Sequence, residues 1–287
     1  MGFSIKLISK NLILKMKTNI SAVKYCCVAI LLMLSSSVLA QRINVNPTII
    51  NYNASAGEAS AQIITITNLS DKKQAYQLSL GDWERDTTGG HTYFAAGTQK
   101  RSCSDWLSFD NTVVEVEPQK SRDVRVTLTA PADPLATSQM KWAMIFIQNV
   151  QENTGDENKG GKMKATIREV YRIGIHVYQT PSAAIQKEAK AISLEPDALV
   201  KNMYNFTMSN TGKAMLECKV HLVLTNLATG AETKLDDFDF PVFPDGKRIV
   251  KLAIPETLEK GKYSMLAVLD YDPDMPLEAI ESSDEIK

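Results

Sequence analysis

Hydrophobic and polar residues alternate along most of this chain, and the alternation predicts a succession of β-strands. In the segment 122–131, RDVRVTLTAP, the residues Val124, Val126 and Leu128 share one face, while charged and hydroxyl side chains share the other. A period of two residues is typical of a strand that buries one face. The segment 140–150, MKWAMIFIQNV, is more continuously apolar, which predicts a central strand covered on both faces. From Gln41 onward no convincing amphipathic helix is present.

About seven such strands precede Pro181 and about seven follow it, with turn residues between them. This number and spacing are typical of immunoglobulin-like sandwiches, in which two sheets bury their apolar faces against each other. The predicted fold class is therefore all-β, with two tandem immunoglobulin-like β-sandwich domains at residues 41–181 and 182–287. The segment 84–105 lacks clear alternation and is predicted to be a long loop, with Thr87–His91 at a loop tip.

The first 40 residues differ from the rest of the chain and predict a cleaved secretory signal peptide. Their only charges are five lysines, an apolar run covers Tyr25–Leu34, and Val38 and Ala40 form a small-residue cleavage site before Gln41. A membrane-spanning helix needs roughly 20 apolar residues, about twice the length of this run. We therefore expect an exported protein whose mature chain does not insert into a membrane.

The charge and cysteine content of the mature chain narrow its partners and its redox chemistry. Without residues 1–40, 27 of the 32 basic residues remain against 33 acidic ones, a net charge of −6. No basic patch of the kind that binds nucleic acid stands out, so nucleic acid is not expected as a partner. Cys103 and Cys218 remain in different predicted domains. A disulfide between them would need an oxidising compartment, and free, half-buried thiols are the favoured interpretation.

Recognisable motifs for catalysis or metal binding are missing, and we expect neither an enzyme nor a cofactor. None of the histidines at positions 91, 176 and 221 neighbours a serine or cysteine in a nucleophile motif. The segment 270–281, DYDPDMPLEAIE, spaces its acidic residues as a calcium loop does. However, Met275 stands where such a loop needs glycine, so a solvated hairpin turn is favoured and no metal is predicted.

An ordered set of features between residues 115 and 181 identifies a resemblance to a known family. A proline-led strand carries Pro118, Ser121, Val124 and Val126, a central strand and a polar loop follow, and the next strand ends in Tyr178 shortly before Pro181. In this order the sequence resembles the periplasmic PapD-like pilus (fimbrial) chaperones. The resemblance covers both domains in architecture, but its motifs lie mainly within residues 43–181.

The resemblance implies a periplasmic protein that binds an exported fimbrial or surface-protein subunit by β-strand addition. In this family the last strand of the first domain is lent to the incomplete sandwich of a subunit. Here that role falls to the strand 166–178 and the preceding loop 151–165. The implied partner-binding residues are Ile167, Arg168, Glu169, Val170, Tyr171, Arg172, Ile173 and His176.

The chain also departs from the family pattern, which makes it a divergent member. The family donates apolar side chains at positions that fall near Ile167, Glu169 and Tyr171 here, and a glutamate is a poor filler of an apolar groove. Members use an arginine on the first strand and a lysine on the last to hold the carboxylate of the subunit. The corresponding places here are Thr48 or Ile49 and His176, so the candidate substitutes for this anchor are Arg172, Arg168 and Thr48.

A second function remains open from the sequence. The chain could be a structural or adhesive module of two immunoglobulin-like domains in a cell-envelope or secretion assembly, without chaperone turnover. The strand 166–178 would then simply be the last core strand of the first domain. A chaperone needs free backbone groups along one edge of this strand, whereas a structural module would cover that edge.

Overall fold

The computed structural model describes residues 42–150, 170–181 and 185–286. The predicted signal peptide at residues 1–40, the loop 151–165 and the candidate residues Ile167, Arg168 and Glu169 lie outside this part of the chain. Within it, no helix is long and apolar enough to cross a membrane. Residues 43–287 belong to one compact unit.

The first sandwich contains ten strands and a single turn of 3-10 helix at Ser104–Trp106 in the described residues. The strands are β1 Ile43–Asn46, β2 Ile49–Tyr52, β3 Ala59–Asn68, β4 Gln74–Arg85, β5 His91–Ala95, β6 Leu107–Phe109, β7 Val113–Val116, β8 Ser121–Thr129, β9 Lys141–Val150 and β10 Arg172–Gln179. One sheet has the order β1-β3-β8-β6, and the other has the order β2-β10-β9-β4-β5 with β7 paired to β4.

Alternate residues of both sheets meet in the core of this sandwich, as the sequence pattern predicts. Val124, Val126 and Leu128 of β8 are fully buried, and so are Ile145 of β9 and Ile175 of β10. The strand β9 is buried along both faces over residues 142–147, which confirms its expected central place. An all-β fold is therefore confirmed for this half.

The prediction of a long loop at 84–105 is wrong in part, because residues 84–95 belong to a β-hairpin. The strand β4 continues to Arg85 and pairs with β5, joined by a turn at residues 86–90. The carboxylate of Asp86 accepts hydrogen bonds from the backbone N–H groups of Thr88 and Gly90, which closes the turn. The pattern missed β5 because all five of its residues are exposed, so no apolar alternation marks it.

The first strand of the sandwich divides at Pro47 and serves both sheets. Residues before the proline form β1, which pairs antiparallel with β3, and residues after it form β2, which pairs parallel with β10. Since proline has no N–H to donate to a ladder, it fits the point where the chain changes sheet. Both halves are edge strands, as Pro47 predicts.

The second sandwich contains eight strands in the part of the chain that the structure describes. They are β11 Ala189–Pro196, β12 Met203–Asn210, β13 Leu216–Asn226, β14 Glu232–Lys234, β15 Phe238–Val242, β16 Lys247–Ala253, β17 Gly261–Asp270 and β18 Glu278–Ile286. Three strands form the sheet β11-β12-β16, and the facing sheet has the order β14-β13-β17-β18 with β15 paired to β13. The segment with calcium-like spacing forms the turn between β17 and β18, where the carboxylate of Asp272 pairs with Lys187.

The two cysteines of the described residues, Cys103 and Cys218, occupy the separate cores of the two sandwiches, and both are free thiols. A disulfide between them is thereby excluded. The expectation of half-buried thiols is wrong, since Cys103 and Cys218 are almost completely inaccessible. Both side chains occupy inward positions on or beside strands, where a small apolar group packs well.

The contact between the sandwiches is formed by a third hydrophobic cluster. It joins the outer face of the β2-β10-β9-β4-β5 sheet to Phe243 of the second sandwich, and its other members are Trp83, Met140, Trp142, Met144, Phe146 and Tyr178. Backbone hydrogen bonds cross at two places, from Met140 N–H to the carbonyl of Lys213 and from Ile249 N–H to the carbonyl of Thr87. The guanidinium of Arg101 adds two hydrogen bonds to the carboxylate of Asp245.

Candidate partner-binding edge

The strand β10 lies between β9 and β2, but the two neighbours cover it to different extents. It pairs with β9 along its whole length, from Arg172 opposite Gln148 to Gln179 opposite Lys141. It pairs with β2 only from His176 to Gln179. Residues 172–175 of β10 therefore have a strand on one side only, among the residues that the structure describes.

Two hydrogen bonds show which backbone groups point to the uncovered side. His176 N–H donates to the carbonyl of Thr48 at 3.0 Å, and Thr180 N–H donates to the carbonyl of Tyr52 at 2.9 Å. Because backbone groups alternate in direction along a strand, the N–H and C=O of Arg172 and Gly174 point to this same side. Those of Ile173 and Ile175 point to β9. We call the backbone of residues 172–175 on the β2 side the open edge. It presents two hydrogen-bond donors, the N–H groups of Arg172 and Gly174, and two acceptors, their carbonyl groups.

The strand begins later than the sequence pattern predicts. Val170 and Tyr171 are described and lie outside β10. The N–H of Tyr171 donates to the side-chain Oδ1 of Asn149 at 2.7 Å, and its carbonyl accepts from the N–H of Asn149 at 3.3 Å. The side chain of Asn149 thus accepts a hydrogen bond that a backbone carbonyl would accept in a regular β-ladder. The regular pairing of β10 with β9 begins at Arg172.

Apolar side chains are exposed around the open edge. Val170 is 59% exposed, Ile49 at the start of β2 is 49% exposed, and Tyr171 and Val150 are exposed as well. Ile173 is partly buried against the first core. Val170, Tyr171 and Val150 lie where β10 begins and β9 ends, and Ile49 lies opposite His176.

The side chain of Arg172 does not protect the open edge. Its guanidinium carbon lies 3.6 Å from the centre of the Phe146 ring, a cation–π contact on the outer face of the sheet. Natural proteins often shield edge strands with charged side chains. Here the charge is held above the Phe146 ring of the neighbouring strand instead of over the open edge.

His176 cannot supply the positive charge of an anchor at neutral pH. Its ring packs edge-on against Trp83 with 4.6 Å between ring centres, and the ring of His91 lies 5.4 Å away. Burial, followed by the nearby His91 and Arg85, lowers the pKa of His176 to about 4. Thr48 carries no charge, and its carbonyl accepts the backbone N–H of His176. Of the three candidates for a carboxylate anchor, Arg172 is the charged one that the structure describes, and this role stays a prediction.

Sequence reasoning missed a basic and aromatic group on the same outer sheet face. Trp83 is completely buried there, and Arg85, two residues further along β4, lies with its guanidinium 5.9 Å from the ring centres of Trp83 and Phe243. Arg248 of β16 approaches from the second sandwich. The period of two that places Trp83 and Arg85 on one face is a signal that could have found this group. The described residues hold no cluster of acidic, histidine and cysteine side chains suited to a metal.

Comparisons with known proteins found similar solved structures and no match by sequence. No protein-family model matches the chain, and no curated protein matches it. A solved chaperone–tip adhesin complex of CFA/I fimbriae biogenesis has a chain 9% identical, with a TM-score of 0.49, 85% of this chain covered and 98% of that one. The class 5 fimbriae chaperone CfaA gives 9% identity and a TM-score of 0.46, with 84% and 98% covered. The E. coli chaperone DraB gives 13% identity and a TM-score of 0.42, with 85% and 97% covered.

Proposed function

We propose that the protein is a periplasmic chaperone-like protein that binds an exported fimbrial or surface-protein subunit by β-strand addition at the open edge of β10. The observation that carries the proposal is the backbone of Arg172 and Gly174, which points to the side where β2 no longer covers the strand. A partner strand placed there would extend the sheet beyond the first residue of β2. The periplasmic location rests on the signal-peptide pattern of residues 1–40 and on the family resemblance.

Strand addition suits the chemistry of this edge. Main-chain hydrogen bonds supply affinity that depends little on the sequence of the partner, and side-chain contacts supply selectivity. The exposed side chains of Ile49, Val170 and Tyr171 offer apolar contacts beside the open backbone groups. A partner that buries them gains roughly 25 cal/mol for each Å² of apolar surface removed from water.

The alternative of a purely structural or adhesive module predicts a covered edge. Such a module would protect the strand with a bulge, an inward charge or a covering loop. Among the described residues, no strand pairs with residues 172–175 on the β2 side, and the Arg172 guanidinium lies over Phe146 instead of over the edge. These two features support the chaperone-like function over the module.

Amide hydrogen exchange tests the proposal directly. The full chain is purified from the periplasm with its co-purifying subunit and compared with the chain stripped of that subunit. We expect the amides of Arg172 and Gly174 to gain at least tenfold protection in the complex, which corresponds to about 1.4 kcal/mol. Ile173 and Ile175, already bonded to β9, serve as internal controls. Protection confined to other surfaces would show that the partner does not add a strand here.

A further inference from the structure

Two arginines from the two sandwiches converge on one glycine in the cleft between them. The Nη1 of Arg85 donates to the carbonyl of Gly89 at 3.3 Å. The guanidinium of Arg248 lies against the Cα of the same glycine, so closely that a Cβ at position 89 would overlap it. Gly89 has a φ of +94°, a conformation that favours glycine, and it leaves open the space that Arg248 fills.

The hydrogen-bonding capacity of these two guanidinium groups is largely unused. The Nε of Arg85 and the Nε and Nη1 of Arg248 are buried, and none of them has a hydrogen-bond partner among the described residues. Buried donors on a charged group are costly when they have no acceptor, by roughly 1–3 kcal/mol each and more for ions. Three such donors at one place indicate that an acceptor is missing.

The carboxylate of Asp86 attracts Arg248, but it makes no ion pair with either arginine. Asp86 is the acidic residue of the adjoining turn, and its Oδ1 is taken by the backbone N–H groups of Thr88 and Gly90 and by the hydroxyl of Thr88. No described carboxylate lies within ion-pair distance of Arg85 or Arg248, whereas Asp245 is engaged by Arg101. Burial, followed by the charge of Arg85, lowers the pKa of Arg248, and the charge of Asp86 opposes this shift.

A cavity gives access to this place. It has a volume of about 560 Å³ and lies between the sandwiches, lined by Arg85, Asp86 and Thr87 on one side and by Gly246 and Lys247, the neighbour of Arg248, on the other. The other charged lining residues are Lys100, Arg101 and Lys247, which are basic, and Glu84 and Asp245, which are acidic like Asp86. Arg85 lines this cavity, and Arg248 follows the lining residue Lys247 directly in the chain.

We propose that Arg85 and Arg248 form a binding site for an oxyanion, a carboxylate or phosphate group, in the cleft between the two sandwiches. Guanidinium groups match the geometry of such anions and bind them through paired N–H donors. One bound oxyanion would accept from both arginines, satisfy the buried donors and offset the repulsion between the cations. The site is separate from the open edge of β10, and its occupation does not depend on strand addition.

Thermal unfolding and calorimetric titration of the full chain with inorganic phosphate and with acetate test the site, against sodium chloride of equal ionic strength. At about ten times the Kd, a bound anion should raise the Tm of the wild-type chain by roughly 3–5 °C. The double variant Arg85→Gln/Arg248→Gln should lose this response. The variant Arg125→Gln, which removes an exposed arginine from β8, should keep it. A larger response to phosphate than to acetate would assign the site to phosphate groups, and the reverse would assign it to carboxylates.

A second variant keeps the test independent of the arginine substitutions. Gly89→Ala displaces the Arg248 guanidinium while both charges remain, and it should weaken anion binding at least tenfold. In the absence of added anion, the double glutamine variant should be as stable as the wild-type chain or more stable, since it removes two repelling charges. An equal anion response in the wild-type chain and the double variant, or no response in the wild-type chain, would overturn the proposal.

Discussion

His176 donates its backbone N–H to the carbonyl of Thr48 at 3.0 Å, and this bond marks the point where β2 begins to cover β10. After His176 the strand is an interior strand, paired on both sides. Before it, the strand has an open edge at residues 172–175. In the described residues, one strand therefore combines a half paired on both sides with a half paired on one side.

The open edge predicts a specific effect of proline at position 172. Arg172→Pro removes an N–H that points away from β9, so the ladder between β9 and β10 keeps its bonds. We expect stability to change by less than about 1 kcal/mol, while the affinity for the co-purifying subunit falls at least tenfold. Urea unfolding and a pull-down with quantified subunit measure the two quantities.

Arg172→Ala is the matched control at the same position, because it removes the side chain and keeps the N–H. If backbone pairing provides the affinity, the alanine variant retains binding while the proline variant loses it. Equal loss in both variants would assign the effect to the guanidinium, which is the candidate carboxylate anchor. Full binding by the proline variant would exclude strand addition at this edge.

The environment of His176 predicts a loss of stability in mild acid. Its pKa in the folded protein is about 4, below the ordinary value of 6.5, because burial, His91 and Arg85 disfavour the charged ring. The unfolded chain therefore takes up a proton at a higher pH than the folded chain, and stability decreases as the pH falls from about 6.5 to about 4. His176→Phe keeps an aromatic ring against Trp83 and should make this decrease shallower. Parallel stability curves for the two proteins across that pH range would contradict the assignment.

The ion pair between the sandwiches predicts the effect of removing one charge. The side chain of Arg101 is 9% exposed and relies on Asp245, whose side chain is 57% exposed. Asp245→Asn removes the charge at a position with a φ of +64°, which asparagine tolerates, so the backbone should be unaffected. We expect a loss of about 1–2 kcal/mol in urea unfolding. Asp239→Asn, at an exposed aspartate of β15, should change stability by less than about 0.5 kcal/mol.

The burial of Cys103 and Cys218 predicts slow reaction of their thiols with alkylating or disulfide reagents in the folded state. Burial raises the pKa of both Cys103 and Cys218 to about 12, and neither side chain is accessible to reagents. A thiol-specific reagent at pH 8 should label neither of them until the protein is unfolded. After unfolding, two thiols should react if residues 1–40 have been removed, and four should react if they have not. Rapid labelling of the folded protein would contradict the burial of these residues.

Most strands of the fold can be predicted from the local pattern of apolar and polar residues, and the strand that this pattern misses buries none of its residues. The strands β3, β8 and β9 are marked by buried residues that alternate or run together, so the sequence predicts them well. The strand β5 escapes prediction because its five residues are exposed and it is held by pairing with β4 alone. Local pattern reports burial, and a strand that buries nothing leaves no pattern.

For the candidate site, too, one part can be predicted from the local sequence and another part cannot. The alternation through residues 172–178 marks β10 as a strand, and the proline after it marks where the strand ends. That the edge is open only before His176 depends on where β2 starts, more than 120 residues earlier in the chain. Pairing over such a separation leaves no trace in the local pattern.

The sequence by itself determined the all-β class, the two sandwiches and the β10 strand, because each follows from which residues must be buried. Only the tertiary structure decided which half of β10 is uncovered, and that His176 is neutral. It also decided that Arg85 and Arg248 meet at Gly89. These properties arise from contacts between distant segments, where backbone pairing, desolvation and charge repulsion are set by the folded arrangement.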